Sequence, residues 1–342
     1  MAGKKFIAFG EVLLRLSPDG FLRFAQAERF NVNYTGAEAN MAVALAHMGM
    51  PTEVVTRLPD NEIGRCALRM FRKFGAGTGH IAFGGERLGI YYLERGASQR
   101  ASQVIYDRRH SAFSEVRYED FDWDAIFADA GWFHFTGITA ALGPELPDIC
   151  RRACETAKRH GVTVSCDLNY RKNLWTTEQA QAAMKPLMRH VDVLIGNEED
   201  SEKVLGIGAA GTDVTAGVLN MDGYRDLAQR LTELYGFKKV AFTLRESLSA
   251  SVNNWSGLLY EDGRLHTSRK YTMQIVDRVG GGDSFASGLI YGILNGFDPQ
   301  KALEFAVGAS CLKHSIELDF NLSTVKEVLN LIGGDGSGRV VR

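Results

Sequence analysis

Short apolar runs alternate with helix-compatible stretches along most of the chain, and this alternation is what most restricts its fold. Residues 6–10, 52–56, 132–136, 162–167, 191–196 and 238–244 read as strands, and residues 37–48, 62–74, 144–159, 178–190, 198–205 and 224–235 read as helices between them. Strand and helix in turn imply an α/β fold with a central, mostly parallel sheet flanked by helices. Two stretches, 14–34 and 87–114, break the alternation. There, apolar and polar residues alternate over runs such as Gly89-Ile90-Tyr91-Tyr92-Leu93-Glu94 and Gln103-Val104-Ile105-Tyr106-Asp107, which marks β-segments outside the main sheet. Edge hairpins would give the same pattern.

A chain of 342 residues with 45% hydrophobic and 23% charged residues can bury a full core. Its 39 basic and 41 acidic residues leave a net charge of −2, so nothing electrostatic calls for nucleic acid or a membrane surface as partner. No apolar run is long enough to span a bilayer, and the apolar run that begins at Phe6 is too short for a signal peptide; the expectation is a cytoplasmic protein. Five cysteines without paired C-x-x-C spacing argue against a disulfide framework, and Cys150 and Cys154 read as small buried hydrophobes. The glycine-rich segment from Gly333 to Arg339 suggests a flexible tail over 332–342.

Chemistry concentrates in Asp277-Arg278-Val279-Gly280-Gly281-Gly282-Asp283-Ser284-Phe285, where three glycines and a carboxylate open a helix. Glycines let the backbone approach a ligand, and the free N–H groups of a first helical turn attract anions such as phosphate. An ordinary glycine turn with Asp283 as N-cap is the plain alternative. A second glycine signal, Gly36-Ala37-Glu38-Ala39-Asn40, lies near the N-terminus. No G-x-x-x-x-G-K-[ST] occurs, and the G-x-G-x-x-G at Gly206, Gly208 and Gly211 follows a helical stretch, so neither a P-loop nor a dinucleotide fingerprint is present.

Together the two glycine segments closely resemble the two signatures of the PfkB (ribokinase-like) family of carbohydrate kinases. The resemblance runs from Phe9-Gly10-Glu11 to about Leu331. It implies a ribokinase-like fold over residues 1–331, with 14–34 and 87–114 forming a lid over the sugar that also serves as a homo-oligomer surface. It also implies ATP and Mg²⁺. In that reading Asp283 is the general base, and the N–H groups of Gly280, Gly281 and Gly282 stabilise the transferring phosphoryl group. Gly36 and Asn40 hold the sugar. Asn197-Glu198-Glu199-Asp200 matches the N-x-x-E element around Mg²⁺, with Asp200 in the usual glutamate position and Glu199 or Glu198 able to share the duty. An acidic first turn after an asparagine cap explains the same residues without a metal. Nucleotide contacts fall on Asn197, Thr243, Arg245, Gly280 and Gly282.

Asp167-Leu168-Asn169-Tyr170-Arg171, Leu244-Arg245-Glu246-Ser247 and the segment from Lys313 to Asn321 resemble the branch that phosphorylates 2-keto-3-deoxygluconate. That resemblance implies substrate contacts from Tyr91, Tyr106, Arg108, Arg171 and Asp319. Arginines suit a sugar acid because they bind a carboxylate by charge-assisted, bidentate hydrogen bonds; without the resemblance both would read as solvated surface residues. The chain departs from the family pattern at Arg278, where a small hydroxyl residue is usual, at Arg245-Glu246, where glycines are expected, and at Leu58-Pro59-Asp60. Arg278 is expected to fill the space where relatives place a potassium ion. Other sugar kinases and a catalytically silent sugar-binding regulator on the same fold are the competing readings.

Overall fold

The computed structural model describes residues 4–209, 220–334 and 336. The strands are β1 Lys5–Phe9, β2 Leu13–Ser17, β3 Asn31–Thr35, β4 Thr52–Leu58, β5 Ile81–Phe83, β6 Gly89–Glu94, β7 Gln103–Asp107, β8 Ala130–Thr136, β9 Thr163–Asp167, β10 Val193–Gly196, β11 Lys239–Ser247, β12 Val252–Glu261, β13 Arg264–Thr267 and β14 Tyr271–Gln274. The central sheet runs β13-β12-β11-β10-β9-β8-β1-β4-β5, with β14 paired to β12. From β11 to β5 every neighbouring pair is parallel, and the pairs made by β12 are antiparallel.

β1 shows why these runs become sheet interior. Phe6 and Ala8 enter one core, with Leu45, Phe285, Leu289 and Ala306, while Ile7 and Phe9 enter the other, with Phe133, Ile149, Met184 and Leu227. Successive side chains of a strand point to opposite faces, so a continuous apolar run is what two helical layers require. The helices Ala37–His47, Gly281–Leu294 and Pro299–Lys313 cover the first face; Leu146–Arg159, Thr177–Met188 and Met221–Tyr235 cover the second. β1 has β4 on one side and β8 on the other, so the connections leave it in opposite directions. A crevice opens at the carboxyl ends of the strands at such a switch point.

The six runs read as strands are β1, β4, β8, β9, β10 and β11, and the six helical stretches are present with ends shifted by a few residues. Gly206 ends the helix Glu198–Leu205 in a left-handed conformation (φ 74°), so the first glycine of the apparent fingerprint is a helix C-cap; Gly211 lies outside the described residues. All five cysteines are free, and Cys150, Cys154 and Cys166 are buried. Most of the expected flexible tail, residues 335 and 337–342, lies outside the described residues. No helix among the described residues is long and apolar enough to cross a membrane.

The two exceptional stretches form a separate four-stranded sheet, ordered β3-β2-β6-β7. Its register aligns Asn33, Arg15, Tyr91 and Tyr106 in one row and Val32, Leu16, Tyr92 and Ile105 in the next. Adjacent rows face opposite sides. The polar row turns toward the main domain, where Arg15 and Tyr91 are buried; the apolar row turns away, leaving Val32 and Ile105 exposed. At its tip the Ser98 N–H donates to Ser251 Oγ (2.8 Å), and the Ala250 N–H donates to the Ser98 carbonyl (2.7 Å). The small sheet is thereby fastened to the β11–β12 turn.

Candidate active site

A cavity of about 1500 Å³ lies where the small sheet faces the carboxyl ends of β1, β8, β9 and β10. Gly36, Asn40, Tyr91, Tyr106, Arg108, Asp167, Arg171, Asn197, Glu199, Asp200, Thr243, Arg245, the turn Gly280 to Asp283 and Asp319 all face it. These residues, drawn from distant parts of the sequence, thus border one space.

The glycine turn is set by close contact on one side and openness on the other. Gly280 caps the helix Gly281–Leu294 with φ 82°, and a Cβ there would lie 2.1 Å from the Asp319 carbonyl oxygen. A Cβ on Gly282 would meet nothing within 4 Å, so that glycine leaves open room at the cavity instead of relieving a clash. The N–H groups of residues 281–283 have no carbonyl four residues back within the helix; Gly281 reaches the Arg278 carbonyl at 3.3 Å. Asp283 is therefore the third helical residue and not the N-cap.

The Asp283 carboxylate accepts a hydrogen bond from Asn40 Nδ2 (2.7 Å), whose Oδ1 accepts in turn from the Thr35 hydroxyl (2.7 Å). The two glycine segments meet at this bond, 243 residues apart in sequence. Burial pushes Asp283 up to about 7; the Asn40 bond opposes this, Glu38 and Asp319 add to it, and Arg171 opposes it. Glu38 is itself buried beneath the site, accepting from the Thr136 N–H (3.0 Å) and the Thr139 hydroxyl (2.6 Å), and burial raises it. Asp167, at the end of β9, is raised well above the carboxylate range by burial and then by Asp200 and Asp283.

Several expected ligand contacts are already engaged within the protein. Arg108 is buried and donates through Nε (2.9 Å) and Nη2 to Glu11, which also accepts from Ser111. Both oxygens of Asp319 are occupied: Tyr91 donates to Oδ1 (2.5 Å), and Arg15 (2.7 Å) and Asn33 (3.2 Å) donate to Oδ2. Asn197 uses its side-chain oxygen to cap the following helix at the Asp200 N–H (2.7 Å), as the metal-free reading required. Asp200 accepts from the Tyr170 N–H (3.1 Å), and Glu199 is exposed at the cavity. The Glu198 side chain lies outside what the structure describes. Arg171 is exposed and donates to the Tyr170 carbonyl (2.9 Å), and Arg278 is part-buried with Nη2 on the Ala250 carbonyl (3.0 Å). Thr243 approaches the Gly196 carbonyl at 3.5 Å, and Arg245 projects from β11.

The profile of the pfkB family carbohydrate kinase matches residues 4–315. The chain belongs to this family. Among solved structures, a 2-dehydro-3-deoxygluconokinase from Thermotoga maritima superimposes with a TM-score of 0.93 at 54% identity, covering 97% of this chain and 100% of that one. A 2-dehydro-3-deoxygalactonokinase from Haloferax volcanii is 30% identical over 98% of both chains. A 2-dehydro-3-deoxygluconokinase from Thermoproteus tenax is 29% identical over 90% of this chain and 87% of its own. The ribokinase-like α/β fold expected from the sequence is the fold of this pfkB kinase.

Sequence reasoning missed Arg15, Glu38 and Asp277, all buried beside the site, and gave Glu11 no role. A signal for Arg15 existed: in Leu13-Leu14-Arg15-Leu16-Ser17 a charge interrupts an apolar strand that has nowhere to expose it.

Proposed function

We propose that this pfkB kinase transfers the γ-phosphoryl group of ATP to the 6-hydroxyl of 2-keto-3-deoxygluconate. The observation that carries the reading is Asp283, with a pKa near 7 and an Asn40 hydrogen bond at 2.7 Å, beside the open first turn of a helix. A base poised near neutrality can take the O6 proton as the O6–P bond forms and the bond to ADP breaks, and the N–H groups of residues 280–283 face the charge that develops. Gly36, Asn40, Tyr91 and Tyr106 would border the sugar; Asp319 would act by orienting Tyr91. Arg171 and the remaining donors of Arg108 would receive the carboxylate. Asn197, Thr243 and Arg245 would border the nucleotide.

The donor set fits a Mg²⁺ ion that arrives with the nucleotide. Glu199 and Asp200 occupy one helical turn at the cavity, and no group of three metal-ligating side chains occurs among the described residues, which suits an ion that keeps waters and phosphate oxygens. When bound, it neutralises phosphate charge.

Support for a keto-deoxy sugar acid comes from the names of the Thermotoga maritima and Thermoproteus tenax relatives. The Haloferax volcanii relative favours the galactonate epimer as a second reading. We further propose residues 1–331 as the kinase domain, with 14–34 and 87–114 as its lid, in a cytoplasmic homo-oligomer that covers the apolar row Val32, Leu16, Tyr92 and Ile105. A coupled ADP-release assay across keto-deoxy sugar acids, ribose and fructose tests the substrate. Preference for a neutral sugar would overturn it.

A further inference from the structure

Arg15 does not border the cavity, yet its guanidinium is only 1% exposed and reaches two carboxylates. Nη2 donates to Asp277 Oδ2 at 2.6 Å and Nη1 to Asp319 Oδ2 at 2.7 Å. Its strand, β2, belongs to the small sheet, whereas both carboxylates belong to the main domain. Asp277 begins the segment that ends in the glycine turn, and its Oδ1 accepts the Val279 N–H (3.1 Å). Asp319 supplies the carbonyl against which Gly280 is pressed. Buried Lys313 adds a second brace, with Nζ 3.4 Å from the Asp277 carbonyl and 3.1 Å from that of Ile316. Burial works against the Arg15 charge, but Asp319 and Asp277 outweigh it and hold the guanidinium above its ordinary value.

We propose that Arg15 is the positioning residue of the anion-hole turn: it holds the two segments that shape Gly280 in fixed relation to each other and to the sheet carrying Tyr91, Tyr106 and Arg108. A planar guanidinium can satisfy both carboxylates at once, which a single ammonium on a flexible stem cannot do with the same geometry. A catalytic donor gains its effect from placement within fractions of an ångström, so loosening this bridge acts on the transferring group more than on ground-state binding. The inference rests on the phosphoryl-transfer reading above.

Arg15→Lys keeps the buried charge and removes the fork. Expected are a kcat lower by about 10- to 100-fold, up to the cost of losing an oxyanion-type donor, a KM for ATP within about threefold, and an undiminished calorimetric stoichiometry for the sugar acid. The stoichiometry excludes a partly inactive preparation as the cause. Asp277→Asn keeps the acceptor for Val279 and should show the same split. The double variant should be no slower than the slower single one, because both changes break one bridge. A kcat within twofold of the parent in Arg15→Lys overturns the inference, as do losses that multiply in the double variant. If Arg15→Lys does not fold, Asp277→Asn decides by the same criteria. Failure of the parent enzyme to release ADP with any sugar acid would instead refute the function on which the inference rests.

Discussion

Replacing Asp283 by asparagine should do two opposite things. Activity should fall by about 10²–10⁴-fold, because the amide keeps the shape and the Asn40 contact but cannot take a proton. The protein itself should become more stable above neutrality. The Asp283 pKa rises from 3.8 to about 7 on folding, so between those values the folded state holds a proton that the unfolded chain has released. Stability contributed by this group is therefore complete at low pH, declines as pH rises through the window, and stays reduced above about 7. Three units at about 1.4 kcal/mol each set a ceiling of about 4 kcal/mol, and water in the open cavity screens the carboxylate, leaving about 1–3 kcal/mol. For a 342-residue chain an unfolding entropy of about 2 cal/mol/K per residue turns that into about 1.5–4 °C. Melting curves without ligands should show Asp283→Asn above the parent at pH 8 and level with it near pH 4, while kcat/KM of the parent bends downward below about pH 7. Near-normal kcat in the variant, or a melting difference that does not grow with pH, would refute the reasoning.

Gly282→Ala should retain its melting temperature and lose activity, since the added methyl enters the cavity, whereas Gly280→Ala should destabilise the fold through its positive φ and the Asp319 carbonyl; thermal melts beside kcat separate the two. Arg171→Ala should lower kcat/KM for the sugar acid about 10- to 150-fold and for a weakly used neutral ketose much less, with Arg108→Ala acting likewise but also leaving buried Glu11 with the Ser111 hydroxyl and without its guanidinium; equal losses on both substrates would speak against carboxylate recognition. Arg278 spans from the glycine turn to the Ala250 carbonyl, so exchanging K⁺ for a large organic cation should leave the rate unchanged, and strong K⁺ activation would contradict it. Ile105→Glu should shift the sedimentation profile to monomer if the outer apolar row is covered by a second copy.

The fold was legible wherever apolar runs obey one period. β1, β4, β8, β10 and β11 send apolar side chains into both cores, as a strand covered by two helical layers must, whereas β9 sends only Val164 and Cys166 into one core and presents Thr163, Ser165 and Asp167 on its other face. The meander β12 to β14 was not legible, because β12 mixes Asn253, Asn254 and Ser256 into its first half, and β5 spans only three residues. Asp283 and Asn40 were readable because each sits in a short motif whose glycines have a backbone reason. Arg15, Asp277 and Glu38 were not, since their partners lie far away in the chain and only the folded register brings them together. Arg108 is instructive for the opposite reason: the motif singled it out, and the sequence could not show that Glu11 already holds it.

The Arg15 bridge joins residues 304 positions apart. At a synthesis rate of about 5–20 residues per second, an emerging β2 waits on the order of 15–60 s before Asp319 exists. Until Asp277 emerges, shortly before Asp319, a lone guanidinium sits in the row meant to be buried with neither of its carboxylate partners, and the small sheet has little to dock against. Its outer apolar row is exposed during the same interval. The nascent chain is thus open to chaperones or to aggregation at the sheet that later borders the cavity, and the glycine turn gains its Asp319 contact only when the distal end arrives.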